Sequence, residues 1–340
     1  MSSPLLEIES LRVEFPGEEG PLVAVKGVDL AIEQGEVLGL VGESGSGKSL
    51  TCRAVMRMVP EPGTISAGSV RFDGEDVMAL NTRKLRDFRA HSVGMIYQNP
   101  FGSLNPTMRV GGQIAETLKV NKGMKRDAAK KEAIALLERV GIEDPEHRYR
   151  AYPHELSGGM CQRVMIAIST ASSPRLMLAD EPTTALDVTT QAQILKLLGK
   201  MRAEEGMAML LVSHDFGVIA QACDRVAVMY GGHIVETGPV ETIYHEPEHP
   251  YTRALLNSVP ELDSAGNVQR RAALAGHPPE LSEVIPGCVF APRCEHAKQE
   301  CAGVSMKLEQ VGSDHESACP VRPYADAGAR GTAKAGKVEA

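Results

Sequence analysis

The segment Gly42-Glu-Ser-Gly-Ser-Gly-Lys48-Ser49 lies between an apolar run, Val37–Val41, and a helical stretch from Lys48 to about Met58. It constrains the fold more than any other part of the chain, because it matches the phosphate-loop pattern G-x4-G-K-[ST] in the strand-to-helix setting that pattern needs. Its glycines let backbone N–H groups wrap phosphate oxygens, and the helix N-terminus adds the positive end of a dipole. Gly42, Ser44, Gly45, Gly47 and Leu50 are the expected cradle. Lys48 can reach the β and γ oxygens, and the Ser49 hydroxyl can ligate Mg2+.

The segment Arg175-Leu-Met-Leu-Ala-Asp180-Glu181 is an apolar strand ending in two carboxylates. In a parallel sheet these stand at the C-terminal edge, where ligands bind. Asp180 is expected to hold the Mg2+ water shell, and Glu181 to orient and polarise an attacking water as general base. His214 follows another apolar strand downstream of Glu181, a position from which it can reach the γ-phosphate.

Around these motifs the periodicity predicts an α/β chain. Leu6–Phe15 and Val23–Ile32 read as strands joined by a polar turn, and Val70–Phe72 and Val93–Tyr97 as further strands. From about Pro100 to Pro153 the strand pattern stops, and Val110–Leu118 and Arg126–Val140 read as helices of an inserted subdomain. Strands return at Leu176–Ala179, Ala208–Val212 and Arg225–Tyr230, alternating with helices at Thr189–Arg202 and Phe216–Ala222, which indicates a parallel sheet. After about Tyr251 proline recurs and cysteines gather at 288, 294, 301 and 319. The expected division is an ATPase-type domain over 1–255 with its helical part at about 100–170, a cysteine-containing extension over 256–327, and a disordered tail over 328–340.

A net charge of −8 argues against a nucleic-acid partner, since phosphate backbones are gripped mainly by Lys and Arg. The opening residues lack the apolar core of a secretory signal, and no apolar run approaches the roughly 20 residues that span a bilayer. The expectation is a cytoplasmic protein whose membrane role, if any, comes through partner chains.

Leu156-Ser157-Gly158-Gly159-Met160, followed by Gln162 and Arg163, resembles the signature motif of ABC ATPases, upstream of the Asp-Glu strand as in that family. The resemblance implies an ABC-type P-loop NTPase fold with an N-terminal antiparallel β subdomain. It implies that ATP with Mg2+ is bound between two subunits, the phosphate loop of one facing Ser157, Gly158 and Gly159 of the other. Gln98 matches the loop glutamine that senses Mg2+, Ala185-Leu186-Asp187 the dimer-contact loop, and His214 the switch histidine. Phe15 takes the place of the aromatic that stacks on adenine, as the only aromatic residue before the phosphate loop. Met160 departs from the Gln that many members carry after Ser-Gly-Gly.

Gln98-Asn-Pro-Phe-Gly-Ser-Leu-Asn-Pro106, Glu181-Pro-Thr-Thr-Ala-Leu-Asp-Val188 and His249-Pro-Tyr-Thr252 narrow the resemblance to the dipeptide/oligopeptide importer ATPases, and Tyr152–Arg163 is similar to their D-type subunit. Nickel and glutathione importers share the pattern. The resemblance implies a second, related ATPase, two transmembrane permease chains and an extracytoplasmic peptide-binding protein as partners, on the cytoplasmic face of the membrane. A non-transport ABC ATPase is the rival class; one cassette, no heptad run and an acidic balance count against it. Cys288, Cys294, Cys301 and Cys319 lack a C-x2-C pair and leave iron–sulfur, zinc or free thiols open. The resemblance favours a [4Fe–4S] cluster. Cys52, Cys161 and Cys223 read as small core residues.

Overall fold

The computed structural model describes residues 3–184, 186–258, 261–262, 268–269, 274–283 and 285–324. The chain opens with β1 (Leu6–Phe15), β2 (Leu22–Ile32), β3 (Val37–Val41), α1 (Lys48–Val55), β4 (Thr64–Phe72) and β5 (Glu75–Asp76). Apolar side chains alternate along β1 and β2, so each buries one face and wets the other. These strands form an antiparallel sheet in the order β2-β1-β4-β5. β3 leaves that sheet because all five of its residues are buried, which suits a strand covered on both faces.

Next come α2 (Thr82–Asp87) and β6 (Val93–Ile96), then the helical segment: α3 (Pro100–Ser103), α4 (Val110–Lys122), α5 (Arg126–Arg139), α6 (Pro145–Arg148) and α7 (Gly158–Thr170). Ile114, Leu118, Ala133, Leu137 and Val164 lock these helices together in one buried cluster. The chain then alternates through β7 (Leu176–Asp180), α8 (Val188–Glu205), β8 (Ala208–Ser213), α9 (Phe216–Ala222), β9 (Arg225–Tyr230) and β10 (His233–Pro239). It continues as α10 (Val240–His245), α11 (Pro250–Asn257), the short pair β11 (Glu261–Leu262) and β12 (Val268–Gln269), and the hairpin β13 (Glu309–Gly312) and β14 (His315–Ser317).

The main sheet runs β13-β14-β10-β9-β3-β8-β7-β6. Its centre, from β9 to β6, is parallel, and β10, β14 and β13 add an antiparallel edge. That edge is not visible in the sequence pattern. β10 carries Glu236, fully buried, whose carboxylate accepts from the N–H groups of Glu248 (2.6 Å) and His249 (3.1 Å) and pairs with His315 Nε2 (2.8 Å). A buried carboxylate held by three partners reads in sequence as a loop residue. β4 begins well before Val70 because its first half pairs with β1; those residues are mostly small or polar and partly exposed, so no apolar run marks them in the sequence.

The cysteine-bearing extension packs onto the cassette. β14 extends the main sheet through β10, and Cys288, Phe290 and Cys301 share one buried cluster with Val41, Tyr230 and Tyr251. Cys52 and Cys161 are fully buried, as expected of small core residues. The expected tail over 328–340 lies outside the described residues. Among the described residues no helix is long and apolar enough to cross a membrane.

Candidate functional site

The phosphate loop spans the gap between β3 and α1 and is pressed against β9. A Cβ at Gly42 would stand 2.0 Å from the carbonyl oxygen of Met229, so no side chain fits there. Gly47 combines φ of +107° with a Cβ position 2.8 Å from Ala24 O, and a glycine is required on both counts. The loop is thereby held as bare backbone at the N-terminus of α1.

Lys48 is 5% exposed, and its Nζ donates to the carbonyls of Gly42 and Glu43, both at 2.7 Å. Burial lowers its pKa, while Glu181, Asp180 and Glu43 pull it back up. Ser49 Oγ donates to Asp180 Oδ1 at 2.8 Å, joining the end of β7 to the start of α1. Asp180 is 2% exposed; burial raises its pKa, the Ser49 hydrogen bond opposes this, and Glu181 adds to it. A hydroxyl, a buried carboxylate and the amide oxygen of Gln98, whose Nε2 reaches the adjacent Glu181, are hard oxygen donors of the kind that suits Mg2+.

Glu181 sits just past β7 with φ of +46°, and its N–H bonds to Val212 O on β8 at 3.1 Å. Its Oε2 accepts from Gln98 Nε2 and from Thr184 Oγ1, both at 2.8 Å, and lies 3.3 Å from His214 Nδ1. Gln98 follows β6, Glu181 follows β7 and His214 follows β8. Three adjacent parallel strands therefore deliver these side chains to one point at their C-terminal ends. Thr184 is a member of the group that the sequence reading did not single out.

Ser157 caps α7, accepting from Met160 N–H at 3.3 Å, and Asp187 caps α8, accepting from Thr190 N–H at 2.9 Å and Thr190 Oγ1 at 2.7 Å. Those Thr190 bonds hold the Asp187 carboxyl below its ordinary pKa. The signature glycines adjoin this second cap: a Cβ at Gly159 would meet Thr190 Cγ2 at 2.8 Å, and one at Gly158 would face Phe101 and Leu186. The signature and the Asp187 loop thus form one surface built on two helix N-termini. Phe15 is half-buried at the end of β1 and covers Gly63, where a Cβ would stand 2.5 Å from its ring. Ala185 lies outside the described residues.

Cys288, Cys294, Cys301 and Cys319 line one cavity, together with His249 and Phe290. Burial, with smaller contributions from the neighbouring thiols, pushes Cys288 up to about 11, and burial also raises Cys294 and Cys319. His249 Nε2 is buried without a hydrogen-bond partner, its Nδ1 accepting from Tyr251 N–H at 3.1 Å. The donor set is one that iron–sulfur clusters and zinc use, but the space between the side chains is about 10 Å3, room for about one water. No group of three or more His, Cys, Asp or Glu side chains among the described residues is placed to hold a metal ion. The expected [4Fe–4S] cluster, and zinc as its alternative, are therefore not supported by the arrangement of these thiols.

The ABC transporter family model matches residues 25–184, and the model for the oligopeptide/dipeptide transporter C-terminal region matches residues 235–301. A Brucella abortus (strain 2308) protein named as a peptide import ATP-binding protein is 45% identical over 94% of this chain and 96% of its own length. The oligopeptide transport ATP-binding protein OppD of Bacillus subtilis (strain 168) is 47% identical over 86% of this chain and 82% of its own. Among solved structures, the ATP-binding cassette MJ0796 bound to ADP and Pi, described as dimeric, has a TM-score of 0.63 at 27% identity and covers 69% of this chain and 98% of that one. The cassette cbiO1 of Clostridium perfringens, part of the ABC transporter complex cbiONQ, has a TM-score of 0.61 at 29% identity and covers 72% of this chain and 92% of that one. A phosphate loop, a signature helix and a His-Pro-Tyr region in one chain, matched nearly end to end by such relatives, make this an ABC-type ATPase belonging to the peptide-transporter ATP-binding family.

Proposed function

We propose that the chain is the ATP-hydrolysing subunit of an ABC importer that takes up di- or oligopeptides across the cytoplasmic membrane. The observation that carries this reading is the meeting of Gln98, Glu181 and His214 beside the Ser49–Asp180 pair. It is the constellation needed to hold Mg2+ and an attacking water against a triphosphate.

Lys48 exchanges its loop carbonyls for the β and γ oxygens, and the N–H groups from Gly42 to Leu50, including Ser44, Gly45 and Gly47, bind the remaining phosphate oxygens. Ser49, Asp180 and Gln98 are the residues that would hold Mg2+, which would supply charge neutralisation to the triphosphate. Glu181 accepts the proton of the attacking water, and His214 donates to the γ-phosphate. Phe15 stacks on adenine, leaving its contact with Gly63.

Ser157, Gly158, Gly159 and Asp187 face the nucleotide of a second, related ATPase, and the dimeric form of the solved MJ0796 cassette supports such a pairing. ATP then favours the closed pair by differential affinity, and hydrolysis releases it. Gln98 and the adjoining α3 pass that motion to two permease chains, fed by an extracytoplasmic peptide-binding protein. On this reading the chain works peripherally, on the cytoplasmic face of the membrane.

Uptake tests the substrate. Cells lacking the gene are expected to lose accumulation of labelled dipeptide or oligopeptide, and to regain it with the wild type but not with Lys48→Ala. Loss of nickel uptake with peptides unaffected would move the assignment to metal import.

For the four cysteines, only the resemblance to importer ATPases speaks for a resident [4Fe–4S] cluster, and loading one would require the thiols to move apart from their present narrow cavity. Protein purified anaerobically is expected to be brown and to carry iron and acid-labile sulfide in equal amounts. Colourless protein lacking both removes the cluster.

A further inference from the structure

Glu43, the second residue of the phosphate loop, is held from outside the loop by the C-terminal region. Arg293 Nη1 donates to Glu43 Oε2 at 2.6 Å and Nη2 to Oε1 at 3.1 Å, a bidentate pair between residues 250 positions apart. The same Nη1 lies 3.1 Å from Tyr230 Oη, and Arg293 Nε donates to Ala275 O at 2.9 Å. The Arg293 side chain is 6% exposed and that of Glu43 26%. A fully exposed ion pair carries little, but a bidentate, largely desolvated one is strong and fixes orientation.

Tyr251, from the His-Pro-Tyr segment, completes the grip. Its Oη accepts the Glu43 N–H at 2.8 Å, and its fully buried ring packs on Tyr230 and Phe290. The third group of Glu43, its carbonyl, is one of the two that receive Lys48 Nζ. The side chain and N–H of one loop residue are thus held by the C-terminal region, and its carbonyl by the lysine that reaches for phosphate. Arg293 also neutralises a carboxylate that would otherwise repel an anion bound next to it.

We propose that Arg293 and Tyr251 are positioning residues for nucleotide binding: the cysteine-bearing extension braces the phosphate loop through Glu43, so ATP affinity depends on how that extension is folded. Arg293 directly precedes Cys294, so the segment that lines the cysteine cavity also carries the brace. The proposal rests on the reading of Gly42–Ser49 as the ATP site.

The test is MgATP affinity and steady-state ATPase kinetics of the full-length chain, with thermal unfolding as a check on folding. Arg293→Ala is expected to raise Kd and KM for ATP about tenfold with kcat within about twofold, the loss of a charged hydrogen-bonded partner. Arg293→Lys, which keeps the charge but not the fork, should fall between. Glu43→Gln alone should have a smaller effect, and adding Arg293→Ala to it should cost little more, because the two act through one contact. A folded Arg293→Ala protein with wild-type Kd, or effects that simply add in the double variant, would overturn the brace. If Arg293→Ala does not fold, the Arg293→Lys and Glu43→Gln pair decides by the same additivity. Lys48→Ala, run alongside, loses MgATP binding if the ATP-site reading holds, so failure of that reading appears in a different variant from failure of the brace.

Discussion

Replacing Glu181 by Gln is expected to leave MgATP binding near wild type while cutting hydrolysis by about 10²- to 10⁴-fold, the range removed with a positioned general base. The substitution preserves shape. Gln has the length of Glu, tolerates the φ of +46° no worse, and can turn its amide oxygen toward the donors Gln98 Nε2 and Thr184 Oγ1. What it loses is the negative charge beside His214 Nδ1 and the capacity to take a proton from water. Binding and chemistry should therefore separate: unchanged Kd, collapsed kcat, and nucleotide-dependent association of the ATPase that persists because the closed pair is no longer discharged. Phosphate release in single turnover, read beside equilibrium MgATP binding, makes the measurement. Turnover within about twofold of wild type would remove Glu181 from the general-base role.

How far this site could be read in advance follows from how local its chemistry is. The phosphate loop is eight contiguous residues whose glycines have steric reasons visible at once in the fold, Gly42 against Met229 and Gly47 against Ala24. Asp180 and Glu181 end a strand whose apolar run announces itself. The meeting of Gln98 and His214 with Glu181 is different: periodicity could place each after a strand, but only the order β6-β7-β8 in the sheet brings them to one point. The resemblance to ABC ATPases named both residues but not that order. Neither route could reach Arg293 and Glu43, since two charged residues 250 positions apart leave no periodic trace. The antiparallel edge was hidden for a related reason. Glu236 is satisfied by His315, 79 residues on, and by the N–H groups of Glu248 and His249 beyond the following helix, contacts that periodicity along β10 does not reveal. Tertiary pairing of charges is where local reading stops.

Lys48→Ala is expected to weaken MgATP binding by about 2–5 kcal/mol, the cost of truncating one partner of a desolvated charge pair, which is about a 30- to 5,000-fold loss of affinity. The argument runs through what surrounds the ammonium. It is 5% exposed and has two backbone carbonyls as partners at 2.7 Å, with Asp180 and Glu181 close enough to oppose the lowering of its pKa by burial. It is the buried cation that offsets those two carboxylates at the loop, with Arg53 also acting on Asp180, and without it an incoming triphosphate meets acidic side chains with less positive charge to oppose them. Alanine also leaves the Gly42 and Glu43 carbonyls without their donor, so some loss of stability in the absence of nucleotide is expected as well. Thermal unfolding separates the two effects. Saturating MgATP should raise the wild-type midpoint, since a ligand at 100 times its Kd stabilises by about 2.7 kcal/mol. The variant should start somewhat lower and show almost no nucleotide-dependent rise. A full MgATP-dependent shift in Lys48→Ala would mean that the triphosphate is held elsewhere, and the assignment of Gly42–Ser49 as its cradle would fall.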